Sequence, residues 1–192
     1  MTEKLNAAAL FPAQLRDLRE YSGLLYNREL VSAKGGNVSA RCADGFLITA
    51  TDAPLRAIGE GSAVLCAADG TPLPGQKGVR PSKETPFHQS IYRCRPEVNF
   101  VIHAHPCCCV AQGLMEEELP MLTASSRLKL GRVPMIPEAD PGTAELAALV
   151  ERAVLDNPAC SAFLMKAHGA LVMGRSAEEC YCLLELLEDM AA

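Results

Sequence analysis

No stretch of about 18 apolar residues occurs in the chain, so no membrane-spanning helix is expected. No basic run reaches five residues and the formal net charge is −5, which argues against a nucleic-acid surface. A chain of this sign that binds a phosphate must gather cations or backbone N–H groups locally. There is no C-x-x-C pair, so zinc ribbons and thioredoxin-like redox motifs are not expected. MTEKLNAAALFPAQL carries Glu3 early and lacks the sustained apolar core of a secretory signal. With no such signal and an odd count of nine cysteines, a disulfide scaffold is not expected either. Most of the cysteines read as small buried hydrophobes, and a cytoplasmic location is the default expectation.

What is present describes a folded domain. A composition of 49% hydrophobic and 21% charged residues over 192 positions is ordinary for a globular chain. The length supports one domain over 1–192 with a substantial core. FPAQLRDLREYSGLLYNREL (11–30) places Leu15, Leu18, Tyr21 and Leu25 at helical spacing, with Pro12 near the first turn. AKGGNVSAR (33–41) is a loop entering a strand, and GFLITATD and SAVLCAADG read as strands. PSKETPFHQSIYRCRPEV (81–98) opens a helix at Pro86 and ends it at Pro96. NFVIHAHP is an apolar strand, CCCVAQGLMEEELP a helix, VPMIP a short strand and 141–158 a strong helix. SAFLMKAHGALVMG reads as two strands about Ala167–His168–Gly169. The C-terminal helix has Ser176 as N-cap and Glu179 at the capping-box position. The class is α/β or α+β, a layered sheet flanked by helices.

Histidine is scarce: His88, His103, His105 and His168 are the whole set. In a strand, residues i and i+2 share a face, so His103 and His105 present two imidazoles side by side. His168, at a strand end before Gly169, is the best-placed third ligand. Three imidazoles leave a coordination position open, as catalytic zinc does; iron, cobalt and manganese suit the same donors. Glu84 stands at a helix mouth, as a general acid/base or as a carboxylate favoured by the helix dipole. On position alone the dipole reading is stronger. His88 lies on the same helical face, and a structural role is expected for it. Gly35–Gly36–Asn37 reads as a tight turn before it reads as an anion cradle. Cys107, Cys108 and Cys109 open a helix at about 100° to one another and cannot all face one metal.

GGNVSAR, LITATD, PSKETPFHQSIYRCRPEVNFVIHAHP and MKAHGALVMG, in that order, resemble the class II aldolase/adducin family from about Leu15 to Leu187. The resemblance implies a three-layer α/β/α fold with a central, mostly antiparallel sheet. It also implies a homotetramer with active sites between subunits. By the same resemblance His103, His105 and His168 bind one Zn2+, and Glu84 is the catalytic acid/base. Gly36, Asn37, Thr51, Ser82 and Lys83 then serve the phosphate of a small sugar. The implied reaction is retro-aldol cleavage of a ketose phosphate through a metal-stabilised enediolate. Epimerisation, dehydration or decarboxylation at the same metal site, and a non-catalytic adducin-like binding module, are the alternatives. Four features depart from the aldolase pattern. The first is Ser82-Lys83-Glu84 where the aldolase has Ser-Ser-Glu, so that Lys83 either replaces the lost contact with a positive charge or points to solvent. Asp52 stands where those enzymes have glycine, and LPMLTASSRLKL lacks the tyrosine lent to a neighbouring subunit. The chain also stops before the family's C-terminal tail. Arg127 and Lys129 are candidates to face the neighbour's site.

Overall fold

The computed structural model describes residues 10–59, 61–76, 78–115 and 118–192. The N-terminal reading up to Ala9 and the expected helical positions Glu116 and Glu117 lie outside them. Helix α1 (Pro12–Asn27) comes first, then strands β1 (Asn37–Cys42), β2 (Gly45–Thr49) and β3 (Ala63–Ala67). Helix α2 (Thr85–Cys94), strand β4 (Phe100–Ala104) and helix α3 (Cys107–Met115) follow. Helix α4 (Ala124–Lys129), strand β5 (Met135–Ile136) and helix α5 (Ala144–Asp156) lead to strands β6 (Ala162–Met165) and β7 (Gly169–Gly174) and to helix α6 (Ala177–Ala191).

The seven strands form one sheet in the order β3-β2-β1-β4-β7-β6-β5. Every pairing is antiparallel except β5 with β6, so the expected mostly antiparallel α/β/α architecture is present. The two-residue period of each strand sorts side chains between two cores. On one face, Ile102, Ala104 and Val172 pack with Leu18 and Leu25 of α1 and Leu184 and Leu187 of α6. On the other, Val101, Leu171 and Met173 pack with Phe87 and Ile91 of α2 and Val150 and Val154 of α5. His103, one pleat on from Val101, points to this second face, where α2 lies over it.

Two local expectations change. Ser176 caps α6, its hydroxyl accepting the Glu179 N–H at 3.1 Å. The reciprocal half moves back one residue, however, because the Glu179 carboxylate takes the Arg175 N–H at 2.6 Å. The segment after Pro120 has no apolar period, yet α4 forms there. Thr123 and Ser126 make the missing signal: the Thr123 hydroxyl accepts the Ser126 N–H, and Ser126 Oγ accepts the Thr123 N–H, so two orphan donors are satisfied at once. Among the described residues, no helix is long and apolar enough to cross a membrane.

Candidate metal centre and cleft

Strand β4 delivers His103, and the residue after the next, His105, leaves the strand on the same face. The ring centroids are 4.7 Å apart and the rings are tilted by 70°. His168 comes from the β6–β7 turn, where Ala167 holds a left-handed φ of 52°. Its ring lies 4.7 Å from that of His103 and 5.3 Å from that of His105. One ring nitrogen from each histidine falls within 4.8 Å of the others, so the three could hold a metal ion.

The donor chemistry fits such an ion. His103 Nδ1 lies 3.0 Å from the Ala170 carbonyl, which only accepts, so the ring proton sits on Nδ1. Its Nε2 therefore presents a lone pair to the site, and a backbone acceptor fixes both tautomer and orientation. That Nε2 is 3.3 Å from Glu84 Oε2 and 2.9 Å from His105 Nε2. A lone pair facing a carboxylate oxygen at this distance calls for a proton or a cation between them. Glu84 Oε1 lies 3.3 Å from His168 Nε2, yet among the described residues it and His168 Nδ1 are buried with no hydrogen-bond partner. Burial lowers the pKa of His103 well below the ordinary histidine value, with His105 and His168 adding to the effect. Burial also lowers His105 and His168, against the opposing pull of Glu84. Neutral imidazole is the form that binds metal.

Glu84 is the N-cap residue of α2, but its side chain makes no capping hydrogen bond. The carboxylate turns inward to the histidines instead, so the helix-dipole reading does not account for it. Ser82 Oγ accepts the Glu84 N–H at 3.3 Å in its place. Asn37, the first residue of β1, donates from Nδ2 to Glu84 Oε2 at 2.7 Å. Its side chain is thereby engaged by the Glu84 carboxylate rather than left free for a phosphate.

The glycine pair before Asn37 has a steric cause. A Cβ on Gly35 would lie 2.8 Å from His105 Nδ1. Gly36 has a φ of 79°, and a Cβ there would lie 2.8 Å from the His103 carbonyl oxygen. The tight turn itself falls on Ala33–Lys34, closed by the Gly35 N–H on the Ser32 carbonyl, and the two glycines that follow are required by the close approach of His103 and His105.

A cleft of about 270 Å³ opens over the centre. Gly36, Asn37, Thr51, Ser82 and Lys83 line it, together with Glu84, His105 and His168; His103 is fully buried behind. Lys34 and Asp52 also line it, and Asp52 holds a left-handed φ of 59°. Lys34 was not anticipated from the sequence, although its place beside Gly35 was a usable signal. A larger cleft of about 630 Å³ lies around Arg41, Asp69 and Tyr92, but no histidine lines it. Chemistry rather than size identifies the site.

The cysteines stand aside. Cys107 is exposed, Cys108 half-buried and Cys109 buried. The N–H groups of Cys108 and Cys109 both donate to the Glu188 carboxylate of α6, each at 2.9 Å. Arg127 of α4 donates to the Met121 and Leu122 carbonyls of the segment just before that helix.

Comparison with known proteins agrees with this geometry. The model of the class II aldolase and adducin N-terminal domain matches residues 16–192. An L-fuculose phosphate aldolase of Methanococcus vannielii is 32% identical over 180 residues, covering 91% of this chain and 93% of that protein. A 3-oxo-tetronate 4-phosphate decarboxylase of Cupriavidus necator is 34% identical over 172 residues, covering 87% of this chain and 76% of that one. The crystal structure of L-fuculose-1-phosphate aldolase from Thermus thermophilus superposes with a TM-score of 0.81 at 27% identity, covering 92% of this chain and 90% of that one. The three histidines, the inward carboxylate and the near full-length match lead to one conclusion: the chain belongs to the class II aldolase and adducin family.

Proposed function

We propose that the protein is a zinc-dependent lyase that cleaves a small ketose phosphate by retro-aldol chemistry. The observation that carries this reading is the pairing of Glu84 with three converging imidazoles under one cleft. His103, His105 and His168 would hold a divalent metal, which would supply Lewis-acid polarisation of the substrate carbonyl. In the cleavage direction the C4 hydroxyl gives up its proton to a base at the open side of the cleft, and C4 becomes the aldehyde carbonyl as the C3–C4 bond breaks. The bond's electron pair moves toward the C2 carbonyl oxygen, and C3 must then receive a proton. Glu84 Oε1 is the group for that transfer, because Oε2 is already tied to Asn37. Lys34, Lys83, Ser82 and the backbone around Gly36 offer the phosphate a positive and hydrogen-bonding wall. Asn37 and Thr51 complete that wall, Asn37 through its main chain.

A homotetramer with sites between subunits fits the exposed apolar residues on α3, on α4 and just before α4. Leu114 and Met115 are 62% and 60% exposed, and Leu122 and Leu128 are 70% and 82% exposed. Patches of this kind mark protein contacts.

Decarboxylation of an oxo-acid phosphate is the second reading, favoured by the 34% identity to the Cupriavidus enzyme. Both reactions place an electron pair beside a carbonyl. Incubation of the zinc-loaded protein with ketose 1-phosphates and with 3-oxo-acid phosphates separates them. Dihydroxyacetone phosphate and an aldehyde are expected; CO2 release without carbon–carbon scission between two sugar fragments would replace the lyase by the decarboxylase. No product from either set would sink both.

A further inference from the structure

Behind Glu84 and Asn37 runs a line of buried polar side chains, His88, Ser39 and Tyr92, that no step above uses. Glu84, His88 and Tyr92 recur every four residues and form one stripe along α2. Asn37 and Ser39, two residues apart on β1, form the stripe facing it. His88 Nε2 contacts Asn37 Oδ1, and His88 Nδ1 lies 2.7 Å from Ser39 Oγ. Ser39 Oγ lies 2.7 Å from Tyr92 Oη. His88 and Ser39 are 0% exposed and Tyr92 is 6% exposed, so water does not compete for these bonds.

The direction of each bond follows from its neighbours. Glu84 Oε2 only accepts, so the Asn37 amide must turn its Nδ2 toward it and its Oδ1 toward His88. Oδ1 also only accepts, so His88 carries its proton on Nε2. Burial disfavours a charged His88 ring, which leaves Nδ1 as an acceptor. Ser39 must then donate to Nδ1, and Tyr92 must donate to Ser39. Burial likewise keeps the Tyr92 phenol protonated. All four bonds point the same way, from Tyr92 to Ser39 to His88 to Asn37 to Glu84. Bonds aligned in this manner polarise and strengthen one another.

We propose that His88 is a positioning residue: by fixing the Asn37 amide with its N–H2 toward Glu84, it anchors Oε2 and leaves Oε1 as the oxygen that handles the substrate proton. This rests on the acid/base reading of Glu84 for its catalytic consequence, but the hydrogen-bond order can be read without a substrate. A histidine that only fills the core would impose no such order.

The test uses the full zinc-loaded chain. In 15N spectra of the histidine side chains, the His88 proton should sit on Nε2. His88→Leu should shift the Asn37 side-chain amide resonances. It should also lower kcat for proton exchange on dihydroxyacetone phosphate about tenfold or more, with KM and zinc content unchanged. His88→Gln places an N–H2 near the Nε2 position and should recover most of both. A proton on Nδ1 overturns the proposal, and so does a His88→Leu variant with the wild-type kcat. If the wild-type protein exchanges no proton, the lyase reading fails separately and the Asn37 resonances decide. Unmoved in His88→Leu, they overturn the positioning; moved and then restored by His88→Gln, they uphold it. Should His88→Leu not fold, Ser39→Ala carries the test, since it removes the donor to Nδ1 and should broaden the ring into mixed tautomers; a ring left wholly on Nε2 with kcat unchanged would overturn the ordered line.

Discussion

Asn37 Nδ2 lies 2.7 Å from Glu84 Oε2, and this one contact ties the first residue of β1 to the cap of α2. Both partners are nearly buried, at 5% and 7% exposure. Removing the amide strands two polar groups, the Glu84 oxygen and the His88 N–H. Each buried group without a partner costs about 1–3 kcal/mol, so Asn37→Ala should lower stability by about 2–6 kcal/mol in urea unfolding. Asn37→Asp keeps the shape but turns the donor into an acceptor beside another carboxylate. It should not rescue stability at neutral pH, and wild-type stability in that variant would contradict the bond order.

The histidine and cysteine halves of HAHPCCCV should separate under mutation. His103→Ala, His105→Ala and His168→Ala each remove one of three converging donors, and zinc affinity should drop by more than about 100-fold, since even outer partners of metal ligands account for 10–100-fold. The combined Cys107→Ser, Cys108→Ser and Cys109→Ala variant should keep zinc at the wild-type stoichiometry. Metal analysis of purified protein after dialysis reads both. Loss of zinc in the cysteine variant would make a thiol a ligand.

The convergence of the three histidines was legible before the fold because each clue was local. His-x-His in a strand needs only the two-residue period, and His168 stands beside a glycine at a strand end. Glu84 and His88 were placed on one helical face by their spacing, but their partners Asn37 and Ser39 lie some fifty residues earlier. No local pattern announces a helix face that will meet a polar strand face. The same limit hid the reason for Gly35 and Gly36, which is a strand about seventy residues further on. Glu188 was invisible for the same cause: its role depends on where α6 packs, not on any motif around it.

Glu188 supplies a pH test away from the metal centre. Burial alone would raise its pKa, but the N–H groups of Cys108 and Cys109 outweigh that and hold it below the ordinary 4.5. A depressed carboxylate contributes its stability in full above the unfolded value and loses it as pH falls through the lower folded value. Glu188→Ala should therefore cost about 1–2 kcal/mol at neutral pH, as loss of a helix cap does. The gap between wild type and variant should close only below pH 4.5. Unfolding curves from pH 7 to pH 3 check this; a gap that grew toward acid would reverse the assignment.

Glu84 stands between two roles, proton carrier and metal ligand, because its oxygens lie 3.3 Å from His103 Nε2 and from His168 Nε2. Glu84→Gln distinguishes them. The glutamine oxygen still accepts from Asn37, so the fold and the buried line behind it should persist. The amide has no proton to exchange at ordinary pH, so turnover should fall about 10²–10⁴-fold, the usual contribution of a positioned acid or base. Three imidazoles suffice for a catalytic zinc site, so zinc content should stay at the wild-type level. Turnover lost with zinc retained fits a proton carrier. Turnover lost together with zinc would instead make the carboxylate a fourth ligand, and the proton would have to come from another group on the cleft wall.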